Sequence, residues 1–381
     1  MSVFILSNLK RFWIGKVLVS FLVAVSVFLA PLGITISYIQ DITPAKNVIL
    51  LIGDGMGENH LEKTKDELGI SLVMDTMPVQ GYQRTQSLSS YVTDSAAGGT
   101  ALACGIRTFN GALGCLGVAE DEVLNLDWNI VSYKNVTELA MEKGMRTGIV
   151  TSDSNTGATP ASFSSHTSGR GNSEDIALQQ LASGIDLIWT ASCGLVNEAN
   201  CTQAGYTFVN DRAGLDALAD GEKSFAQFSG MIQYDDGKDN AMPLSELTEK
   251  AIGQLDNEDG FFLMVEGAHI DKYSHSNIDD EMMASVAEFD KAVAAAIEFA
   301  KADGNTVVIV TADHETGAIK YDSKEEKYKF NSGSHSGVPV PLRIYGYDNF
   351  ISDGDTILNI EVADFISRLL GYEDKVFPVM L

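Results

Sequence analysis

The stretch NVILLIGDG, Asn47–Gly55, is an unbroken apolar run that stops at an aspartate between two glycines. A half-solvated strand alternates apolar and polar residues, so a run apolar at every position is a strand buried on both faces, as in a parallel sheet covered by helices. The same signature returns in RTGIVTSD (Arg146–Asp153), FFLMVEGAHID (Phe261–Asp271), TVVIVTADHE (Thr306–Glu315) and VPLRIYG (Val340–Gly346). Between these runs lie helical patterns: Val136–Lys143, Leu244–Leu255, and Asp279–Ala302 with an acidic start and a glycine stop. The alternation predicts an α/β fold, a three-layer αβα sandwich around a mostly parallel, doubly wound sheet.

The chain has 381 residues, enough for one large domain, and no linker or repeat interrupts it after residue 46. Its 52 acidic residues against 26 Lys plus Arg give a formal charge of -26, which argues against a nucleic-acid partner. An anionic substrate would need positive charge from an arginine, a lysine or metal ions. At the N-terminus Lys10, Arg11 and Lys16 precede the uncharged run Val17–Ile39, with no clear small-residue cleavage site after it. Residues 1–42 therefore read as a signal anchor or a cleaved signal peptide. The domain at 43–381 is expected beyond the cytoplasmic membrane, periplasmic or extracellular, held to the membrane if the segment is retained. The 4 cysteines suit an exported protein. Cys193 and Cys201 flank a polar loop that a local disulfide would staple, Cys104 reads as a buried free thiol, and Cys115 has no assigned pairing. No C-x-x-C pair suggests a zinc–cysteine site.

Ligands in open parallel sheets bind beyond the carboxyl ends of the strands. Asp54 follows one apolar run, Glu266 another, and Asp313 with His314 a third, so carboxylates and an imidazole converge on one sheet edge. Asp271 and His275 lie one helical turn apart and face one point, and His335 sits among small residues in NSGSHSG. Carboxylates with imidazoles select zinc or a similar metal; carboxylates with a hydroxyl suit magnesium. In TDSAAGGTALACG, Thr93–Gly105, a serine and an aspartate precede residues small enough for close backbone approach, which fits a helix cap or the mouth of a reactive site.

DGMG, TDSAAGGTA, ATPASF followed by Arg170, VEGAHIDKYSH, TADHETG and GSHSG occur in that order, and the chain from about Asn47 onward resembles the alkaline phosphatases. The resemblance implies one zinc held by Asp271, His275 and His335, and a second held by Asp54, Asp313 and His314 with Ser95 as its reactive ligand. It implies a magnesium held by Asp54, Thr159 and Glu266, with Arg170 clamping phosphate and Asp94 orienting it. The implied reaction is hydrolysis of phosphate monoesters through a phosphoserine on Ser95, with an alkaline optimum and broad specificity, in a homodimer. A phosphodiesterase or phosphomutase of the same superfamily, or a catalytically silent phosphate- or metal-binding protein of the envelope, are the alternatives.

One departure stands out. The family carries Asp or His two residues before the magnesium threonine, whereas this chain has Gly157. Lys272 would pair with a residue there, so it is expected to contact phosphate through water or to face solvent. Residues 171–242, where the resemblance thins, read as a more variable insertion that shapes the site entrance or a subunit contact. His60, His166 and His269 are expected in structural roles.

Overall fold

The computed structural model describes residues 42–118, 129–229, 242–373 and 376–381. The N-terminal segment read as a signal or anchor lies outside them. Among the described residues no helix is long and apolar enough to cross a membrane.

The core is a 10-stranded sheet. Its strands are β1 (Asn47–Gly53), β2 (Val79–Arg84), β3 (Arg146–Ser154), β4 (Leu187–Ala191), β5 (Thr207–Val209), β6 (Ser224–Phe228), β7 (Phe261–Gly267), β8 (Thr306–Thr311), β9 (Val340–Tyr345) and β10 (Thr356–Leu358). They lie in the order β10-β2-β9-β8-β1-β7-β3-β4-β6-β5. The quoted stretch is the middle of the molecule: β1 pairs in parallel with β8 on one side and β7 on the other, and every residue of it is buried. One set of helices, α1 (Glu58–Leu68), α5 (Leu244–Leu255) and α7 (Asp279–Asp303), packs together on the face carrying Ile49 and Leu51. Another set, α2 (Ser95–Cys104), α3 (Val136–Glu142), α4 (Ala158–Ser162) and α8 (Asn359–Leu369), forms its own layer. The short helix α6 (His269–His275) continues directly from β7.

Strand β9 is the exception to parallel pairing: it runs antiparallel to both β8 and β2. The cause is a short return. After β8 the chain makes a two-stranded ribbon, Glu315–Thr316 with His335–Ser336, and re-enters the sheet from the end where β8 left it. The apolar run VPLRIYG looks like its parallel neighbours because it too is interior. Its one charge, Arg343, is buried but forked onto Glu58, with Nη2 donating to both carboxylate oxygens at 2.8 and 2.9 Å. The segment at 171–242 supplies β4, β5 and β6 and so builds one side of the sheet. Trp189 in β4 is fully buried, its indole N–H donating to Ser224 Oγ at 2.9 Å.

The disulfide expected between Cys193 and Cys201 is absent; all 4 thiols are free. Cys193 Sγ donates instead to Asn155 Oδ1 at 2.9 Å, and Cys201 is buried on the helix Glu198–Gln203. Cys104 is buried with its Sγ 3.5 Å from the Tyr133 carbonyl, as a free thiol.

Helix α7 holds the site end of the sheet through Phe289, whose ring stands 2.8 Å from where a Cβ on Gly267 would lie. A bulkier residue at that strand end would push the helix away. Phe289 is fully buried in the main apolar cluster, so Phe289→Ala is expected to cost about 3–5 kcal/mol. A urea unfolding curve with a lower midpoint and an unchanged slope would show it; an unchanged midpoint would contradict the packing.

Candidate metal and phosphate site

Loops leaving the sheet's carboxyl edge supply the site. Asp54 follows β1, Glu266 ends β7, and Asp313 and His314 follow β8. Gly55, next after Asp54, has φ 72°, and an added Cβ would sit 2.8 Å from Asp271 Oδ1. Only glycine both adopts that left-handed turn freely and lets the backbone pass beside Asp271. The return before β9 brings His335 to the same edge, and α6 carries Asp271 and His275 there.

Two triads gather. Asp271, His275 and His335 form one, and Asp54, Asp313 and His314 the other, each with its donor atoms within 4.8 Å of one another. Their proton inventory is informative. Thr316 Oγ1 gives its hydrogen to Asp271 Oδ1 at 2.5 Å, so at His314 Nδ1, 3.2 Å away, it must accept. This assignment from the network puts the ring proton of His314 on Nδ1 and leaves Nε2 as a bare lone pair. Around that Nε2 lie Ser95 Oγ at 3.1 Å, Asp313 Oδ2 at 3.3 Å and Asp54 Oδ1 at 3.4 Å. Burial, then the neighbouring His335, pushes the His314 pKa down to about 3, so the ring is neutral. Asp313 Oδ1 already accepts from the backbone N–H of Gly55 and His314, while its Oδ2 and Asp54 Oδ1 are buried without a hydrogen bond.

The second triad repeats the pattern. His275 Nδ1 donates to the Gly333 carbonyl at 2.8 Å and His335 Nδ1 to the Thr93 carbonyl at 2.9 Å. Each ring in its neutral form then has a bare Nε2, and the two face each other at 3.1 Å, with Asp271 Oδ2 3.4 Å from one and Oδ1 3.7 Å from the other. Lone pairs and carboxylates turned on one another need a cation among them, and each ring is locked in the tautomer a metal requires. A third group of oxygens surrounds Glu266, which accepts a hydrogen bond from Thr151 Oγ1; the nearby Thr159 Oγ1 is buried without a well-formed one.

Ser95 opens helix α2 and is nearly buried. Asp94 does two things at once: Oδ1 caps the helix by accepting from Ala97 N–H at 3.0 Å, and Oδ2 accepts from Arg170 Nη1 at 3.2 Å. The sequence offered cap and arginine partner as alternatives; the two oxygens serve both. Added methyl groups at Gly98 and Gly99 would lie 2.7 Å from the Asp313 carbonyl and 2.8 Å from Ser162 Oγ. The small residues after Ser95 thus seat the helix directly against the loop that carries Asp313.

Lys272 is exposed to solvent, as expected, but it is not unpaired. Its Nζ donates to Asp153 Oδ1 at 2.5 Å, so the expectation of a missing partner is corrected. Burial alone would lower the Lys272 pKa, but Asp153 above all raises it on balance. Asp153 ends the apolar run RTGIVTSD as Asp54 ends NVILLIGD, and that shared position was the available signal for it. Thr316 and Thr151 carried no such signal. The other histidines are structural: His60 accepts from Gly57 N–H at 3.1 Å and meets Ser274 Oγ at 3.0 Å, His166 bridges the Gly114 carbonyl and Glu138, and His269 packs on Tyr273.

Two outcomes follow from this geometry. Burial, then Asp153, pushes Glu266 up to about 8 from its ordinary 4.5, and burial, then Asp313, raises Asp54. Between those two values the cation-free folded state binds a proton that the unfolded chain has lost. Its stability is therefore full below the ordinary value and falls as pH rises toward about 8, by up to about 1.4 kcal/mol per pH unit for Glu266 alone. Chelator-treated protein should melt lower at pH 8 than at about pH 6, and added zinc and magnesium should shrink that difference; a flat pH profile in chelator would contradict it. Thr316→Val removes the group that orients both Asp271 and His314. It should weaken zinc retention by about 10–100-fold in dialysis against a competing chelator, while an unchanged retention would show that the two triads hold their own geometry.

Comparison with known proteins bears on the whole chain. A family model described as alkaline phosphatase matches residues 45–186 and 188–357. Alkaline phosphatase 4 of Bacillus subtilis (strain 168) is 33% identical over 311 residues, 76% of this chain and 65% of that protein, so the chain spans slightly less than two thirds of that relative's length. The structure of an alkaline phosphatase from the Antarctic bacterium TAB5 matches with a TM-score of 0.74 at 30% identity, over 87% of this chain and 99% of that one. A histidine-to-glutamate variant of that enzyme, solved with magnesium bound, matches with a TM-score of 0.73 at 30% identity, covering 87% of this chain and 99% of that one. The chain belongs to the alkaline phosphatase family.

Proposed function

We propose that this protein hydrolyses phosphate monoesters with Ser95 as the nucleophile. The observation that carries the reading is the position of Ser95 Oγ, at the start of a helix and 3.1 Å from the bare Nε2 of His314, where two carboxylate oxygens also converge. Asp271, His275 and His335 would hold one zinc. Asp54, Asp313 and His314 would hold a second, with Ser95 as its further ligand. Asp54, Thr159 and Glu266 would hold a magnesium; the TAB5 variant with magnesium is consistent with a cation of that kind in this family. The buried acceptors without hydrogen bonds and the locked imidazole tautomers fit these ions. When bound, the divalent ions supply the positive charge that lowers the serine hydroxyl's pKa and neutralises phosphoryl oxygens.

The rest is done by the chain. Ser95 Oγ, its proton lost to solvent, attacks phosphorus as the P–O bond to the ester's alcohol breaks, giving a phosphoserine and the released alcohol; water then cleaves the phosphoserine to inorganic phosphate, and the N-terminal dipole of α2 favours the anion at each stage. Arg170 is half-exposed and its guanidinium is tethered by one nitrogen to Asp94, while among the described residues the guanidinium's other donors meet no protein acceptor. It can therefore present a planar fork to two phosphate oxygens while Asp94 keeps it aimed. Recognition centred on the phosphoryl group gives broad specificity for the ester's alcohol. The charge of -26 is no obstacle, because the pocket's own ions and Arg170 reverse the sign locally. Export is proposed from the basic residues before Val17–Ile39, and a homodimer from the family resemblance.

The test is turnover of p-nitrophenyl phosphate at alkaline pH by the protein with and without chelator, beside Ser95→Ala. Each treatment should lower kcat by about 10³-fold or more, as removal of a nucleophile does elsewhere. Activity surviving both would overturn the serine mechanism, and full zinc binding without turnover would favour a silent binding protein.

A further inference from the structure

Strand β3 carries Thr151 on to Asp153, two residues further along, where the carboxylate lies close enough to Glu266 to act on it electrostatically. Asp153 Oδ1 accepts from Lys272 Nζ at 2.5 Å and from Ser154 N–H at 2.8 Å. Its backbone N–H donates to Thr151 Oγ1 at 2.8 Å, and that hydroxyl in turn donates to Glu266. Strand, threonine and glutamate are thus one hydrogen-bonded unit. Oδ2, the other carboxylate oxygen, points at Gly157: a Cβ built there would lie 2.5 Å from Oδ2 and 2.9 Å from Cγ. Any side chain at 157 would collide with Asp153. Near Glu266 stands Thr159 Oγ1, 1% exposed and without a well-formed hydrogen bond.

Resting on the function proposed above, we infer that Asp153 is the acidic residue that completes the site of Asp54, Thr159 and Glu266 and holds Lys272 beside it. The carboxylate reaches the site from the end of β3, and Gly157 is glycine because that carboxylate fills the space a side chain there would need. The carboxylates of Asp54 and Glu266 and the Thr159 hydroxyl are hard oxygen donors, the set that suits magnesium rather than zinc, and Asp153 adds its charge beside them. Lys272 then acts as the site's fixed ammonium, offsetting the carboxylates' mutual repulsion and standing one residue from Asp271. Asp153 is a positioning residue in this account: it sets the affinity of the oxygen site and the place of Lys272 without touching the serine.

The experiment measures magnesium affinity of the zinc-loaded protein by titration calorimetry, with zinc and magnesium content by elemental analysis. Asp153→Asn keeps the shape and can still accept from Lys272. It should weaken magnesium about 10-fold or more while zinc stoichiometry stays unchanged. Gly157→Asp alone should lower the melting temperature, because it meets Asp153. Asp153→Ala combined with Gly157→Asp should relieve the collision and restore magnesium affinity to within about threefold of wild type, a coupling that a purely structural Asp153 would not produce. Unchanged magnesium affinity in Asp153→Asn, or a double variant that binds no better than Asp153→Ala, would overturn the inference, as would wild-type protein that takes up no magnesium beyond its zinc. Failure of the phosphatase reading is separate: it would appear as absent turnover in wild-type protein, whatever the variants bind.

Discussion

The arrangement depends on an excess of hydrogen-bond acceptors at one edge of the sheet. Bare Nε2 atoms of His275 and His335 stand 3.1 Å apart, and the bare Nε2 of His314 faces Asp54, Asp313 and Ser95. Each ring is held there by a donor bond on its far side, to Gly333, Thr93 or Thr316. The buried part of this cluster, Asp54, Asp313 and His314, repels itself in water-poor surroundings unless positive charge enters, while His275 stands open to solvent. The folded chain stores the binding site as an unfavourable local charge distribution, and the surrounding sheet makes that tolerable.

The sheet can do so because its centre is apolar on both faces. β1, β7 and β8 are buried along their length, so the loops that leave them start from fixed points and their first polar residues are placed to within a side chain's reach. The antiparallel strand β9 adds what parallel strands cannot. Its preceding ribbon begins at the site edge, which is why His335 meets residues near β8 although the sequence separates them. On the other layer the small residues of α2 let Ser95 approach the Asp313 loop, and Asp94 joins helix cap to Arg170 with one carboxylate.

Much of this was legible because the relevant signals are local. Apolar runs ending in acids gave the strands and the positions of Asp54, Glu266 and Asp313, and helical spacing gave Asp271 with His275. What stayed hidden depends on contacts between distant segments. Thr316 bridges the two triads through a single hydroxyl, and the carbonyls of Thr93 and Gly333 set imidazole tautomers, but backbone acceptors leave no mark in side-chain patterns. The reversed direction of β9 follows from a short ribbon whose pairing no periodicity shows. Asp153 is the instructive case: it satisfies the same strand-end rule as Asp54, yet a glycine at 157 reads in sequence as a missing partner for Lys272. The partner came from four residues earlier, along the strand. The expected Cys193–Cys201 bridge failed for a similar reason, since nearness in sequence does not place two thiols face to face.

The central claim is that the bare nitrogens and carboxylates enclose metal ions. Diffraction from crystals grown with zinc, recorded above and below the zinc absorption edge, tests it directly. The account predicts two anomalous peaks, one bounded by Asp271, His275 and His335 and the other by Asp54, Asp313, His314 and Ser95. Crystals with no peak at either position, in which His275 and His335 instead share a proton between their Nε2 atoms, would contradict it.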